Sequence, residues 1–433
     1  VFSNSSAEPV VRVVKSSRRR KHRNSSDMAL RKRVVIVGAG SCGLVALKEH
    51  LESGSDVVCL EKATEVGGVF SKRPDACYDG LYLTISNVFM SFSDYPWPAE
   101  QIRYSPKEDY ADYLELYTDH FNLKKHIKFG TSVKSAKRTA EGTWVIETVA
   151  TGSEAGTTYE ADVLVVANGS NSSKKSLDSL APGFTGPKLH SQDFQNAAPY
   201  KGKHVLVVGT GESATDISAD LAEAGAASTT VWARRPFLIA PRFPELIQKD
   251  TTHDEYDLMG DEAQWSKVPM TEFLEFVNTS KIFNMCPLWL WSFLRQSFWE
   301  VCQAPKSTSA PAFRTLSMWS QLLWKDATSS TVKSRAYWQA DQAAFATKNS
   351  RIASMVAKDA VRLVLATDAK FSESSVTFSN VTADGAVRID PPEERTLDHI
   401  DLIVGCVGYE TRVDFLDPKA LGIELDPRTW YKH

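Results

Sequence analysis

Paired cysteines are missing from this 433-residue chain: its six (Cys42, Cys59, Cys77, Cys286, Cys302 and Cys406) lie far apart and form no CxxC. That argues against a dithiol redox centre and, with no matching histidine spacing, against a zinc site. The thiols read as reduced core fillers. An excess of one charge is missing too, since the net charge is −3 at 24% charged and 42% hydrophobic residues. Nothing in that balance points to nucleic acid as a partner. No apolar run is long enough to span a bilayer, which takes about 20 residues. The most hydrophobic stretch, Ile282 to Leu294, is interrupted by Pro287 and ended by Arg295. It reads as a core or lid helix, with contact to a membrane surface as the alternative. The N-terminus has charges but no apolar run behind them, so it is not a secretory signal. These features predict a cytoplasmic location, with peripheral membrane association left open. Short-period repeats, a Ser/His/Asp set and paired carboxylates are absent as well.

The length suggests two to four domains. The basic run Arg18-Arg19-Arg20-Lys21-His22-Arg23 sits in a Ser-rich stretch before Met28. A disordered tail over residues 1–33 is expected, because such a composition buries too little apolar surface to fold; a localisation signal is the alternative reading. Met28 could be the natural start.

The chemistry is carried by two glycine loops. Val34-Val35-Ile36-Val37 reads as a buried parallel strand and runs into Gly38-Ala39-Gly40-Ser41-Cys42-Gly43, then into a helical pattern. In this GxGxxG loop Gly38 permits the tight turn, Gly40 lets the backbone approach a pyrophosphate, and Gly43 lets helix pack on strand. The pyrophosphate then meets the free N–H groups of the helix start, at Ser41 and Cys42. A second strand, Asp56 to Leu60, ends at Glu61, 18 residues past Gly43 (61 − 43), where an acid can hold ribose hydroxyls. The pattern returns 171 residues later (209 − 38) as Gly209-Thr210-Gly211-Glu212-Ser213-Ala214, with Ala214 in the third glycine place. Its following strand, Thr229 to Ala233, ends in Arg234-Arg235 and not in an acid. Guanidinium groups pair with a 2′-phosphate, so this site reads as selective for NADPH. Two sites of opposite preference imply two cofactors, and FAD plus NADPH is the simplest pair. The fold class expected is α/β, with two Rossmann-like dinucleotide-binding domains.

Between the loops lies Phe184-Thr185-Gly186-Pro187-Lys188-Leu189-His190-Ser191-Gln192-Asp193-Phe194. It resembles the FxGxxxHxxxF sequence of class B flavin-containing monooxygenases, which are related to the Baeyer–Villiger enzymes. Other segments are similar in the family's order: Glu61-Lys62, Gly67-Gly68 with Phe70 in place of a tryptophan, and Ser86-Asn87 ahead of Phe92-Ser93-Asp94-Tyr95-Pro96. Asp162 to Gly169, Asp401 to Tyr409 and the final Trp430-Tyr431-Lys432-His433 also resemble family segments. The resemblance implies that Lys62, Gly68, Val133, Gly169, Ser213 and Gly408 join the glycine loops in binding cofactor. It implies a hydrogen bond from Asn87 near the reacting oxygen, and a structural role for His190. It further implies that one atom of O2 passes, by way of a C4a-hydroperoxyflavin, to the amine or thioether of a small molecule. No metal is called for. Relatives continue beyond the YKH stretch, which predicts weak or uncoupled activity in the chain as given.

The organisation expected is an FAD domain over residues 34–197, an NADPH domain over 201–348 with a Trp-rich helical insertion at 241–330, and a return to the FAD domain over 349–433. Three other readings stay open. A Baeyer–Villiger monooxygenase fingerprint ends in tryptophan where this chain has Phe194. An oxidase or disulfide reductase is a second, although the reductase would need a CxxC. The third is a non-catalytic FAD-binding remnant.

Overall fold

The run of β-branched residues after Lys32 forms strand β1 (Arg33–Val37), buried on both faces. Helix α1 (Ser41–Glu52) follows the glycine turn, and β2 (Asp56–Leu60) lies parallel to β1. The computed structural model describes residues 31–85, 87–98, 105–153, 155–171, 173–240, 346–349, 351–417 and 421. The basic tail up to residue 30, Cys286, Cys302, the Trp-rich insertion at 241–330 and Trp430 to His433 lie outside them.

A short helix α2 (Asn87–Met90) precedes α3 (Lys107–His120) and strand β3 (Ile127–Lys128). On α3 the residues Tyr110, Tyr113, Leu114 and Tyr117 recur at helical spacing, which gives the helix one apolar face. That face packs with Val34, Ile36, Leu44 and Leu47 in one core. The other face of β1 and β2, with Val35 and Leu60, meets a small antiparallel sheet of β4 (Thr131–Arg138), β5 (Trp144–Ala150) and β6 (Thr158–Ala161). Strand β7 (Val163–Val166) then closes a first sheet of order β3-β2-β1-β7.

After β8 (Ser173–Lys174) and β9 (Lys188–His190), the second loop stands between β10 (His204–Val208) and α4 (Glu212–Glu223), followed by β11 (Ser228–Ala233) and β12 (Leu238–Ala240). The remaining elements are β13 (Ala346–Lys348), α5 (Ile352–Ala357), β14 (Arg362–Leu365), β15 (Asp368–Phe371), β16 (Val376–Asp384), β17 (Val387–Leu397), β18 (Leu402–Gly405) and β19 (Tyr409–Glu410). The second sheet has the order β15-β16-β14-β11-β10-β18-β9, with β17 paired to β16. Its parallel centre, β14-β11-β10-β18, repeats β3-β2-β1-β7 element for element. Both are the Rossmann-like half expected from the glycine loops.

Strand pairing corrects two expectations. The chain does not return to the first sheet at about residue 349: β14 pairs with β11, and β18 pairs with β10. It regains the first unit only near Tyr409, through β19 against β8 and a bridge from Leu416 to Ala136. The Phe184–Phe194 fingerprint likewise belongs to the second sheet, because β9 is the strand beside β18. Buried runs such as Leu402-Ile403-Val404 mark a parallel strand, yet apolar runs of this kind fit either sheet equally well.

Candidate dinucleotide sites

Both loops turn the chain from strand to helix at a glycine that no other residue could replace. Gly38 has φ of +100°, and a Cβ there would lie 2.5 Å from the Ala167 carbonyl oxygen. Gly209 has φ of +131° and is blocked in the same way by the Cys406 carbonyl. These carbonyls belong to the ends of β7 and β18, which crowd the loops identically: Ala167 N–H donates to Val37 and Cys406 N–H to Val208.

The second glycine of each loop is different. Gly40 has only Gly68 near its missing Cβ, with the closest atom at 3.8 Å, and Gly211 has nothing within 4 Å. Their φ is −76° in each case, a value open to any residue. Among the described residues there is therefore no internal reason for glycine at either place. Both residues stand at the N-cap of their helices, and neither helix has a side-chain hydrogen bond capping its start. Such a start favours a bound anion, and a Cβ would stand where that anion approaches.

Around the first loop the chain gathers most of the predicted residues. Glu61 is buried, and its carboxylate accepts the N–H groups of Ala39 at 2.7 Å and Ala63 at 2.8 Å. It thus shapes the loop, with lone pairs remaining for a ribose. Gly67 N–H donates to the Ala39 carbonyl at 3.1 Å, which brings Gly68 across from Gly40. Ser41 is half-buried and Cys42 exposed at the helix start, while Gly43 packs helix against strand. Val133 lies under the end of β2 in the core with Leu60. Gly169 follows β7 at φ +80° with open space beside it, and Lys62 is exposed next to Glu61. Asn87 is fully buried at the start of α2.

Sequence reasoning missed Tyr110. Its hydroxyl lies 3.2 Å from the Met90 carbonyl and 3.4 Å from Ser41 Oγ, so it ties the helix of Asn87 to the start of α1. Phe70 packs edge-on against the same ring at 5.0 Å. The 110/113/114/117 spacing on α3 was the signal available.

Around the second loop, Ser213 and the buried Ala214 begin α4, and Arg234 and Arg235 stand exposed just past β11. Gly408 is on neither loop. It follows β18 at φ +81°, and its carbonyl accepts His190 Nε2 at 3.1 Å, while His190 Nδ1 accepts Gln192 N–H at 3.1 Å. With both nitrogens taken by backbone, the ring is a neutral brace, and burial pushes its pKa down. A further brace joins the units: Tyr78 Oη donates to Asp216 on α4 at 2.9 Å, and Asn349 Nδ2 donates to the same carboxylate at 2.7 Å. Arg351 spans Asp220 and Glu223 on that helix at 2.8 and 2.9 Å.

Two buried thiols lie beside the loops. Burial, and then Glu61, pushes the Cys59 thiol up to about 12. Burial pushes Cys406 up to about 12 as well. Both stay protonated and unreactive at neutral pH. Among the described residues no helix is long and apolar enough to cross a membrane.

Residues 31–240 match the model of the flavin-binding monooxygenase-like family. Over that span, a little under half of its length, the chain is similar to that family. The chain is 37% identical over 216 residues to a 4-hydroxybenzoate brominase (decarboxylating) of Marinomonas mediterranea, covering 49% of this chain and 41% of that protein. It is 33% identical over 203 residues to flavin-containing monooxygenase 5 of Oryctolagus cuniculus, covering 44% and 38%. The matched part thus spans about two fifths of each curated relative. The fold is similar to that of an oxidized steroid monooxygenase bound to NADP, at a TM-score of 0.51 and 20% identity over 90% of this chain and 72% of that one. The flavin-binding monooxygenase-like span contains the first glycine loop, the fingerprint and the second loop as far as β12.

Proposed function

We propose that this chain binds FAD at the first glycine loop and NADPH at the second, and transfers one oxygen atom from O2 to a soft nucleophile, an amine or thioether, of a small molecule. One observation carries the reading. Gly40 and Gly211 head helices without a side-chain cap, and a Cβ would meet nothing nearer than 3.8 Å at Gly40 and no described atom within 4 Å at Gly211, so the missing Cβ atoms leave room for something outside the chain. Bound FAD would supply acceptance of hydride and activation of O2. The protein binds, orients and excludes water. Ser41 and Cys42 present backbone N–H groups to the pyrophosphate, and Glu61 takes the ribose. Arg234 and Arg235 take the 2′-phosphate that distinguishes NADPH from NADH. Asn87 donates a hydrogen bond to the reacting oxygen, a role that an ionised carboxylate cannot fill. Tyr110 positions Asn87 through the Met90 carbonyl.

Amine or thioether oxygenation is favoured over ester formation because the fingerprint ends in Phe194. That ring is fully buried and stacks on Tyr200 at 5.8 Å, so it marks the subfamily without touching substrate. A second reading, oxidative bromination of a phenolic acid, is favoured by the 37% identity to the brominase. The test is the visible spectrum of the purified chain, followed by incubation with NADPH, O2 and, in turn, a thioether, a cyclic ketone, and 4-hydroxybenzoate with bromide. Bound flavin with sulfoxide as product is expected. Lactone or a bromophenol as the main product replaces the oxygenation reading, and absence of flavin removes both.

A further inference from the structure

The repeat between the two sheets extends to the edge opposite the glycine loops, and there the two copies differ in chemistry. In the first sheet Arg33 N–H donates to Asp162 Oδ2 at 2.8 Å, and Asp162 N–H returns a bond to the Arg33 carbonyl at 2.9 Å. In the second, His204 N–H donates to Asp401 Oδ2 at 2.8 Å, and Asp401 N–H returns to the His204 carbonyl at 2.8 Å. Arg33 therefore corresponds to His204 and Asp162 to Asp401. Two residues before each aspartate, Glu160 corresponds to His399. The first copy is an ion-pair cluster, with the Arg33 guanidinium 3.0 Å from both Asp162 and Glu160. In the second copy the guanidinium is gone and two imidazoles stand beside one carboxylate.

The groups are close. The His204 and His399 rings meet edge to face at 5.1 Å, and His399 Nε2 lies 3.2 Å from Asp401 Oδ1. One donor atom from each of the three residues lies within 4.8 Å of the others. Two imidazole nitrogens and a carboxylate oxygen suit a divalent transition metal and not a hard cation such as Ca2+. Outer contacts already orient the donors, as metal ligands require. Ser228 Oγ is 2.9 Å from His204 Nδ1, leaving Nε2 for a ligand, and the His204 backbone N–H holds Asp401 Oδ2. The His399 side chain is 61% exposed and that of Asp401 23%, so an ion has a way in.

We propose that His204, His399 and Asp401 form a Zn2+-class metal site that takes over, in the second sheet, the place of the Arg33 guanidinium in the first. The ion staples the start of β10 to the start of β18. It lies at the far end of five-residue strands from the second glycine loop, roughly 16 Å at about 3.3 Å per residue, so its role is structural and independent of the flavin reading.

The test uses the full chain, stripped with chelator, with the exposed Cys42 replaced by serine throughout so that its thiol does not compete. Calorimetric titration with Zn2+ is compared with the same titration of His399→Gln and His204→Asn, and Tm is recorded with and without Zn2+. One equivalent is expected, weakened at least about tenfold in each variant, since losing even an outer partner of a ligand costs 10–100-fold. Zn2+ should raise the Tm of the parent and not that of His399→Gln, whose exposed position keeps the fold intact. Absence of saturable Zn2+ binding, or affinity and Tm shift unchanged in His399→Gln, overturns the proposal.

Discussion

At the first glycine loop the third position is Gly43, and a Cβ there would overlap the Gly38 carbonyl oxygen. At the second loop the same place holds Ala214, fully buried in the core with Val205, Val207 and Ile217. The first helix therefore lies closer to its turn than the second. The acid after the first loop is drawn inward onto the Ala39 N–H, whereas the arginines after the second face solvent. One backbone plan thus carries a tight loop that binds its own acid and a looser loop edged with positive charge. The common features, Gly38 with Gly209 and Gly40 with Gly211, serve the turn and the open helix start. The differing ones carry the proposed choice of nucleotide at each loop.

Several measurements would break or sharpen that contrast. The largest effect is expected at the open glycines. Gly40→Val should give folded protein without the flavin spectrum, because the added carbons meet little of the chain and stand in the anion's approach. Full flavin retention would take the first loop out of the cofactor site. Next comes the charge. Pairs with phosphate are worth about 1.5–3 kcal/mol each, so Arg234→Ala or Arg235→Ala should reduce NADPH-over-NADH preference about tenfold or more. Flavin reduction rates with both nucleotides measure this, and an unchanged preference in the double variant separates the arginines from specificity.

The packing difference predicts smaller shifts in stability. Gly43→Ala should cost about 1–3 kcal/mol, since the clash is with backbone that cannot swing away. Ala214→Gly, the reverse change in the looser loop, should cost roughly 0.5–1 kcal/mol from helix entropy alone. Urea melts compare the two, and equal losses would show that the helices sit at the same distance. The smallest effect concerns His190. Its folded pKa lies below the ordinary 6.5, so the folded state binds fewer protons than the unfolded one in the window just below 6.5. Its contribution is complete above that pH and is lost as pH falls through the window. Replacement by glutamine should flatten the Tm profile there, and an unchanged slope would assign the acid sensitivity elsewhere.

Much of this was legible in the sequence because the signals are local. Strand, glycine loop, helix, strand and terminal residue fall within about thirty residues in each repeat, and each carries its own physical mark. What was hidden is non-local. Neither Val163-Leu164-Val165-Val166 nor Leu402-Ile403-Val404-Gly405 says which sheet it enters, because both are simply short apolar parallel strands. The bond from Tyr78 to Asp216 joins residues 138 apart, and His204 meets His399 only because β18 lies beside β10. Asn87 was found by resemblance, while the tyrosine that holds its helix emerged only when α3 was placed.

The seat of the fingerprint strand has a consequence for synthesis. β9 ends at His190, and its strand partner among the described residues, β18, begins at Leu402, 212 residues later (402 − 190). At roughly 5–20 residues per second, a ribosome needs about 10–40 s to deliver that partner. Meanwhile β10 and β11 can already pair, with α4 between them, leaving one edge of β10 open to mispairing. When β18 arrives it fills that edge, offers its far side to β9, and brings the Gly408 carbonyl to the waiting His190. The fingerprint is thus among the earlier segments made and among the last to be seated.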